Sequence, residues 1–252
     1  MIAPPHPALA PQLLALADDE LILGHRDSEW CGHAPILEED IAFANLAQDE
    51  LGHAALWYRL VEQLSQARPD HLVFFRQAKH YRCAQLVTLP KGDWAYAMLR
   101  QFLFDAAEAV RLPGLAASRY APLAETAAKI QTEEIYHLRH TRAWVRRLGL
   151  GTEESHRRMQ AALDALWPYA LQLFVPLTDE AALTAAGLVP AAAAMQQEWE
   201  ALAGATLHDA GLVIPAGAEA VAQDRREIGP HLPGLLDEMQ AVARLEGPEV
   251  GW

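Results

Sequence analysis

Two stretches of this sequence set a carboxylate three residues ahead of a histidine. They are Glu50 and His53 in "DELGHAALWY", and Glu134 and His137 in "IQTEEIYHLRHTRAWV". Residues three apart share a helix face, so each pair could present one acid and one imidazole to the same place. The apolar stripe through the second stretch runs Ile130, Glu134, His137, Thr141, Trp144 and Leu148. The stripe through the first runs Phe43, Ala47, Glu50, Ala54 or His53, Trp57, Val61 and Leu64. Both polar pairs therefore fall on or beside the stripe that must face a core. A carboxylate buried alone costs several kcal/mol or takes up a proton, so inward acids need partners.

A helical bundle that binds two metals supplies them, with one carboxylate from each of two helices and a Glu-x-x-His pair from each of the other two. Glu20 lies thirty residues before Glu50 on the stripe Leu13, Leu16, Glu20, Leu23, and Asp105 lies twenty-nine before Glu134 on Met98, Phe102, Asp105, Ala109. The two halves read as a weak internal repeat with one half-site each. Glu108, three residues beyond Asp105, is the alternative fourth acid. Three readings stand side by side: a metal pair, a hydrogen-bonded network without metal, and chance placement. Four carboxylates with two imidazoles suit paired iron or manganese, a centre that activates oxygen or moves electrons. Each histidine would then need an acceptor for its far nitrogen. Asp49 and Glu133, next to the motif glutamates, are expected to be solvent-side acids. Glu38, Glu39 and Asp40 suit the first turn of a helix, where negative charge is favoured. His140 is expected to be exposed or hydrogen-bonded.

The elements that must carry these residues are helices. Apolar positions recur every three or four residues almost throughout, and only "GLVIPAG" hints at strand alternation, so the chain is all-α. Helices are expected near 8–29, 35–66, 70–83, 91–112 and 118–148, with Pro35, Pro69, Pro90 and Pro113 at the breaks and Asp93 as a cap. Further helices are expected near 153–173, in "TDEAALTAAG", in "PAAAAMQQEWEALAGATLHDAG" and in "LLDEMQAVARLEG". Residues 8–148 read as a four-helix bundle and 149–252 as a helical extension packed on it, the whole 1–252 forming one domain with no low-complexity linker. Trp30, Trp57, Trp94, Trp144, Trp167 and Trp199 fall among apolar neighbours and read as core or interface anchors. The basic "RAWVRRLG", with Arg142, Arg146 and Arg147, complements the C-terminal end of its helix.

Composition narrows the function. The 252 residues are 52% hydrophobic, enough for a substantial core, and 20 Lys and Arg against 33 Asp and Glu give a formal charge of −13. Such a chain is poorly suited to nucleic acid. No apolar run is long enough to span a membrane, and "MIAPPHPALAPQ" does not read as a secretory signal. Cys31 and Cys83, far apart, read as reduced, buried thiols of a cytoplasmic protein.

Two blocks resemble a known family. "DDELILGHRDSEWCGHAPILEEDIAFANLAQDELGHA" and "EEIYHLRHTRAWVRRLGLGTEESHRRMQAALDALWPY" are similar to the hallmark segments of PaaC-type subunits of bacterial phenylacetyl-CoA epoxidase. The resemblance implies a ferritin-like four-helix bundle with additional C-terminal helices, in a multicomponent monooxygenase of aerobic phenylacetate breakdown. It implies that a PaaA-type di-iron subunit carries the catalysis and that further subunits complete the complex. This chain would then be the non-catalytic structural partner, without a metal of its own and without substrate residues; self-association is left open. Glu20, Glu50, His53, Asp105, Glu134 and His137 depart from what is expected of an inactive member, because they look close to a complete ligand set. The competing expectation is an oxidase or oxygenase in its own right, with an iron or manganese pair at those six residues.

Overall fold

A computed structural model describes residues 6–249. The stretch "MIAPPHPALAPQ" begins outside these residues. Among the described residues there is no β-strand, and "GLVIPAG" is irregular chain. Four long helices are arranged as two hairpins: α1 (Leu9–Ser28) against α2 (Leu37–Ser65), then α5 (Trp94–Ala116) against α6 (Ala121–Gly149). Between the hairpins lie two short helices, α3 (Pro69–Phe74) and α4 (Gln85–Thr88), with a 3-10 turn at Ala78–His80. The C-terminal part adds α7 (Glu153–Leu171), α8 (Glu180–Ala185), α9 (Ala192–Asp209), α10 (Leu232–Met239) and α11 (Ala241–Glu246). The architecture is a ferritin-like helical bundle with extra C-terminal helices, of which α7 and α9 pack on α5 and α6.

Local chemistry accounts for most boundaries. Asp93 accepts the Tyr96 amide (2.9 Å) and starts α5, and Thr152 and Ser155 cap α7 reciprocally. Glu38, Glu39 and Asp40 occupy the first turn of α2. Pro113 does not break α5, because it falls in the last turn and only three helical residues follow it. The expected helix at 70–83 is replaced by α3 and the turn because polar pins hold this stretch open. Asp18 pairs with Arg76 and accepts from Tyr58 (2.6 Å) and from the Arg82 amide (2.7 Å). The Gln240 amide donates to the carbonyls of Val73 (2.9 Å) and Arg76 (3.2 Å). The final helix is two, α10 and α11, meeting at Gln240, which is fully buried.

One close approach needs glycine. A Cβ on Gly24 of α1 would lie 3.0 Å from the Ala47 carbonyl and 3.0 Å from Glu50 Cβ, so α1 and α2 pack closely beside Glu50. Of the two thiols, Cys83 is buried but Cys31 is exposed, in the turn after α1 rather than in the core. Trp30, Trp57, Trp167 and Trp199 are buried, while Trp94 and Trp144 are half-buried. Arg147 lies over the Trp144 ring (4.7 Å) and Arg146 reaches Asp209 on α9 (3.6 Å).

Trp199 carries much of the union between the extension and the bundle. It stacks on Trp167 (4.7 Å between centroids), touches Phe174 (5.1 Å), and donates its indole N–H to the Leu103 carbonyl (3.0 Å). Truncating a buried tryptophan costs about 3–5 kcal/mol. Trp199→Ala is therefore expected to lower stability by about that amount in urea unfolding, with α9 the first segment cut by protease. A loss below about 1 kcal/mol would contradict this reading of the packing.

Candidate functional site

The four long helices converge on their polar positions. Glu20 from α1, Glu50 and His53 from α2, Asp105 from α5, and Glu134 and His137 from α6 are all buried. Ligating atoms of Glu20, Glu50, His53 and Glu134 lie within 4.8 Å of one another, and so do those of Glu50, Asp105 and His137. Glu50 is common to both groups. His137 Nδ1 also approaches Glu134 Oε1 (3.1 Å), so Glu134 reaches into both halves. All six residues picked out by spacing are thus in one cluster, capable of coordinating a metal ion. Glu108 is not in it: its carboxylate turns to Arg111 one turn away.

The far nitrogens of the histidines are held by two acids expected to face only solvent. His53 Nε2 is 2.7 Å from Glu133, and His137 Nε2 is 3.2 Å from Asp49. These carboxylates stay about half exposed, yet each serves the histidine of the opposite helix. The corrected motif is an acid directly before each Glu-x-x-His, acting across α2 and α6 reciprocally. A third contact continues the line, His140 Nε2 to Glu39 (3.0 Å), so Glu39 does more than serve the helix terminus. From 133 to 137 to 140 the partners run 53, 49, 39, which sets α2 and α6 antiparallel.

Two further residues of the site are not legible in the sequence. The Gln101 amide donates to Glu50 Oε1 (2.8 Å) and Asp105 Oδ1 (2.9 Å), and the Thr141 hydroxyl donates to Asp105 Oδ2 (2.6 Å). Thr141 lies on the α6 stripe, and Gln101 precedes Asp105 by one turn; both look like ordinary polar interruptions in the sequence. Asp18 and Asp19 are buried beside Glu20 but face elsewhere, Asp18 to Arg76 and Asp19 to Arg225.

Burial and proximity divide the protons unequally. Burial raises the Glu20 carboxyl above its usual range. Burial also pushes Glu50 well up, helped by the like charge of Glu20, and does the same to Asp105, helped by Glu134. Glu134 goes the other way: burial disfavours its charge, but His137 and His53 outweigh that and hold it at about 2. For His53, burial opposes charging, while Glu134 and Glu20 prevail and lift it to about 12. His137 is likewise held above the usual imidazole range, against burial, by Glu134, Asp49 and Glu50. Without metal the cluster is two imidazoliums around one carboxylate, with neighbouring acids tending to the neutral form.

The donor set also suits a metal. Glu20 Oε2, Glu50 Oε2, both oxygens of Glu134, and Nδ1 of His53 and His137 are buried without a hydrogen-bond partner. Carboxylates with imidazole suit iron or manganese, which would supply Lewis-acid or redox chemistry. Room for a substrate is another matter. A partly open cavity of about 60 Å³, lined by Leu13, Leu16, Leu115, Leu173 and Met195 with Asp19, Arg111, Glu180 and Arg225 at its sides, includes none of the six cluster residues. A solvent-open groove of about 300 Å³ between α5 and α6 reaches Glu134, flanked by Ile135, Leu138, Arg139 and Arg142.

Comparison with known proteins places this arrangement. The pattern that defines the phenylacetic acid catabolic protein family matches residues 1–252. The chain belongs to that family. The C subunit of the 1,2-phenylacetyl-CoA epoxidase of Escherichia coli (strain K12) is 35% identical over 234 residues, covering 92% of this chain and 94% of that relative. The A subunit of the same enzyme is 27% identical over 172 residues, covering 68% of this chain and 55% of that relative. Among the described residues no helix is long and apolar enough to cross a membrane.

The proton distribution predicts how this family member responds to pH. The folded, metal-free chain keeps protons on Glu20, Glu50, Asp105 and both histidines that the unfolded chain releases from about pH 4 to about pH 7. Stability therefore falls as pH rises through that range, and for His53 the loss is complete only near pH 12. Glu134 has the opposite sign: its contribution is complete above about pH 4.3 and is lost as pH falls toward about 2. Urea unfolding of chelator-treated chain should show declining stability from about pH 5.5 to about pH 8.5, and Glu50→Gln should make that decline shallower. Stability that rises over this range, or a slope the variant leaves unchanged, would contradict the assignment.

Proposed function

We propose that this protein is a non-catalytic structural subunit of a multicomponent phenylacetyl-CoA ring epoxidase. It pairs with a di-iron subunit of the PaaA type and takes part in aerobic phenylacetate breakdown. The observation that carries this reading is the asymmetry between the two relatives. Similarity to the C subunit runs nearly end to end in both chains, whereas similarity to the A subunit is weaker and leaves much of that relative unmatched. That both named subunits resemble this chain supports two bundles of one fold standing side by side.

In this role the residues of the chain position and exclude; they transfer nothing to substrate. The His–carboxylate contacts tie α2 to α6, and the Gln101 amide ties α2 to α5 through Glu50. A buried polar network of this kind fixes helix register at little net gain in stability. The half-exposed acids Asp49 and Glu133, with exposed Ile135 and Tyr136 beside Glu133 in sequence, put charge and apolar surface on the outside of the same bundle.

A second reading rests on the completeness of the six-residue cluster: an oxygen-activating or redox enzyme acting alone. The saturation of Asp105 by Gln101 and Thr141 weighs against a metal pair.

Co-expression with the PaaA-type chain of the same organism is expected to give one stable complex on gel filtration, surviving dilution to micromolar concentration. Two well-folded chains that elute separately at every concentration would count against the structural role.

A further inference from the structure

The two halves of the cluster are not equivalent. Glu50 Oε2 and both oxygens of Glu134, which the halves share, lack a hydrogen bond, as do His53 Nδ1 and His137 Nδ1; in the half of Glu20 and His53 the remaining acid is open too, at Glu20 Oε2. In the half built around Asp105, both carboxylate oxygens are already taken, one by Gln101 and one by Thr141, and Gln101 also holds Glu50 Oε1. We propose that the chain binds one divalent transition-metal ion, at Glu20, Glu50, His53 and Glu134, and that the Gln101 amide stands where a second ion would lie.

The first half has the form of a coordination site. Its four ligating atoms lie within 4.8 Å of one another. Oxygen and nitrogen ligands at about 2.1 Å from an ion are at most about 4.2 Å apart, so small side-chain rotations close the shell. His53 is prepared for the task by its other nitrogen. With Nε2–H donated to Glu133 at 2.7 Å, loss of the other ring proton leaves the lone pair on Nδ1. Nδ1 faces Glu134 Oε1 at 3.3 Å and Glu20 Oε2 at 3.7 Å, both acceptors. Acceptors facing acceptors inside a core repel unless a cation or a proton sits between them. One ion satisfies all of them together.

The second half has a different solution. Gln101 offers an amide nitrogen with two N–H groups, and these span Glu50 and Asp105 at 2.8 and 2.9 Å. A neutral donor pair thus bridges two carboxylates, as a cation would, without adding charge. Aspartate is also one methylene shorter than glutamate, which keeps its carboxylate back against α5 and Thr141. A second ion would have to break three hydrogen bonds to enter, whereas the first displaces only the protons shared among His53, Glu134 and Glu20. Three carboxylates and one imidazole favour manganese(II), iron(II) or zinc over calcium or magnesium.

The test uses the full-length chain, stripped with chelator and reloaded with manganese(II) alone. The expected result is one manganese per chain after desalting, with the electron paramagnetic resonance signal of an isolated ion even under excess metal. His53→Ala should weaken binding at least about tenfold, the scale of a lost ligand interaction, while His137→Ala leaves one ion bound. Gln101→Ala frees Glu50 and Asp105 and should raise the capacity to two, with a spin-coupled signal. Two ions in the wild type, or none, would overturn the proposal. So would a single ion that is lost in His137→Ala and retained in His53→Ala. A Gln101→Ala chain that folds and still takes one ion would remove Gln101 from its assigned role.

Discussion

Removing ionisable groups from water is the constraint around which this bundle is built. Glu20, Glu50, His53, Asp105, Glu134 and His137 all sit where solvent cannot reach, and none could stay there charged and alone. The response is mutual pairing. Two imidazoles bracket Glu134, an amide bridges Glu50 and Asp105, and surface acids reach in to the outer histidine nitrogens. Elsewhere the same requirement is met by salt bridges, with Asp27 on Arg100, Asp19 on Arg225 and Asp18 on Arg76. The first joins α1 to α5, and the other two fasten the segments between and after the hairpins to α1, so charge burial shapes the connections as well as the centre.

Such a core contributes specificity more than stability. Each buried pair loses most of its Coulomb attraction to desolvation, but breaking one partner leaves the other stranded. Helices that slide by one turn would strand several groups together. The apolar layers around the site can tolerate exchange of similar shapes; the polar layer cannot. Gly24 shows the same demand in steric form, since any side chain there would press on Ala47 and on the Cβ of Glu50.

The sequence is informative wherever periodicity and residue type point the same way. Glu50, His53, Glu134 and His137 stand out because charged residues on an apolar stripe are anomalous, and the thirty-residue echo draws in Glu20 and Asp105. Asp49 and Glu133 escape notice because an acid one position off the stripe is ordinarily solvated, and only the tertiary approach of α2 to α6 turns it onto a histidine. Gln101 and Thr141 carry no charge, so nothing in their local pattern distinguishes them. Pro113 reads as a breaker under a rule that weakens in a last helical turn. The stretch 70–83 has helical periodicity but is drawn into other geometry by Asp18 and Gln240, partners distant in sequence. Local signals are strong for stripes and caps and silent about contacts made across the fold.

A polar core in which Asp105 is already satisfied by Gln101 and Thr141 is suited to a bundle that supports catalysis in a neighbour. The claim that chemistry resides in the partner is tested most directly by titration. Phenylacetyl-CoA consumption would be followed with oxygen, reductant and the remaining components present, while this chain, iron-loaded, is added to a fixed amount of the PaaA-type chain. The account predicts no turnover from this chain alone at any concentration, and a rate that climbs and saturates at a fixed ratio once the partner is present. Product formed by this chain without the partner would contradict it.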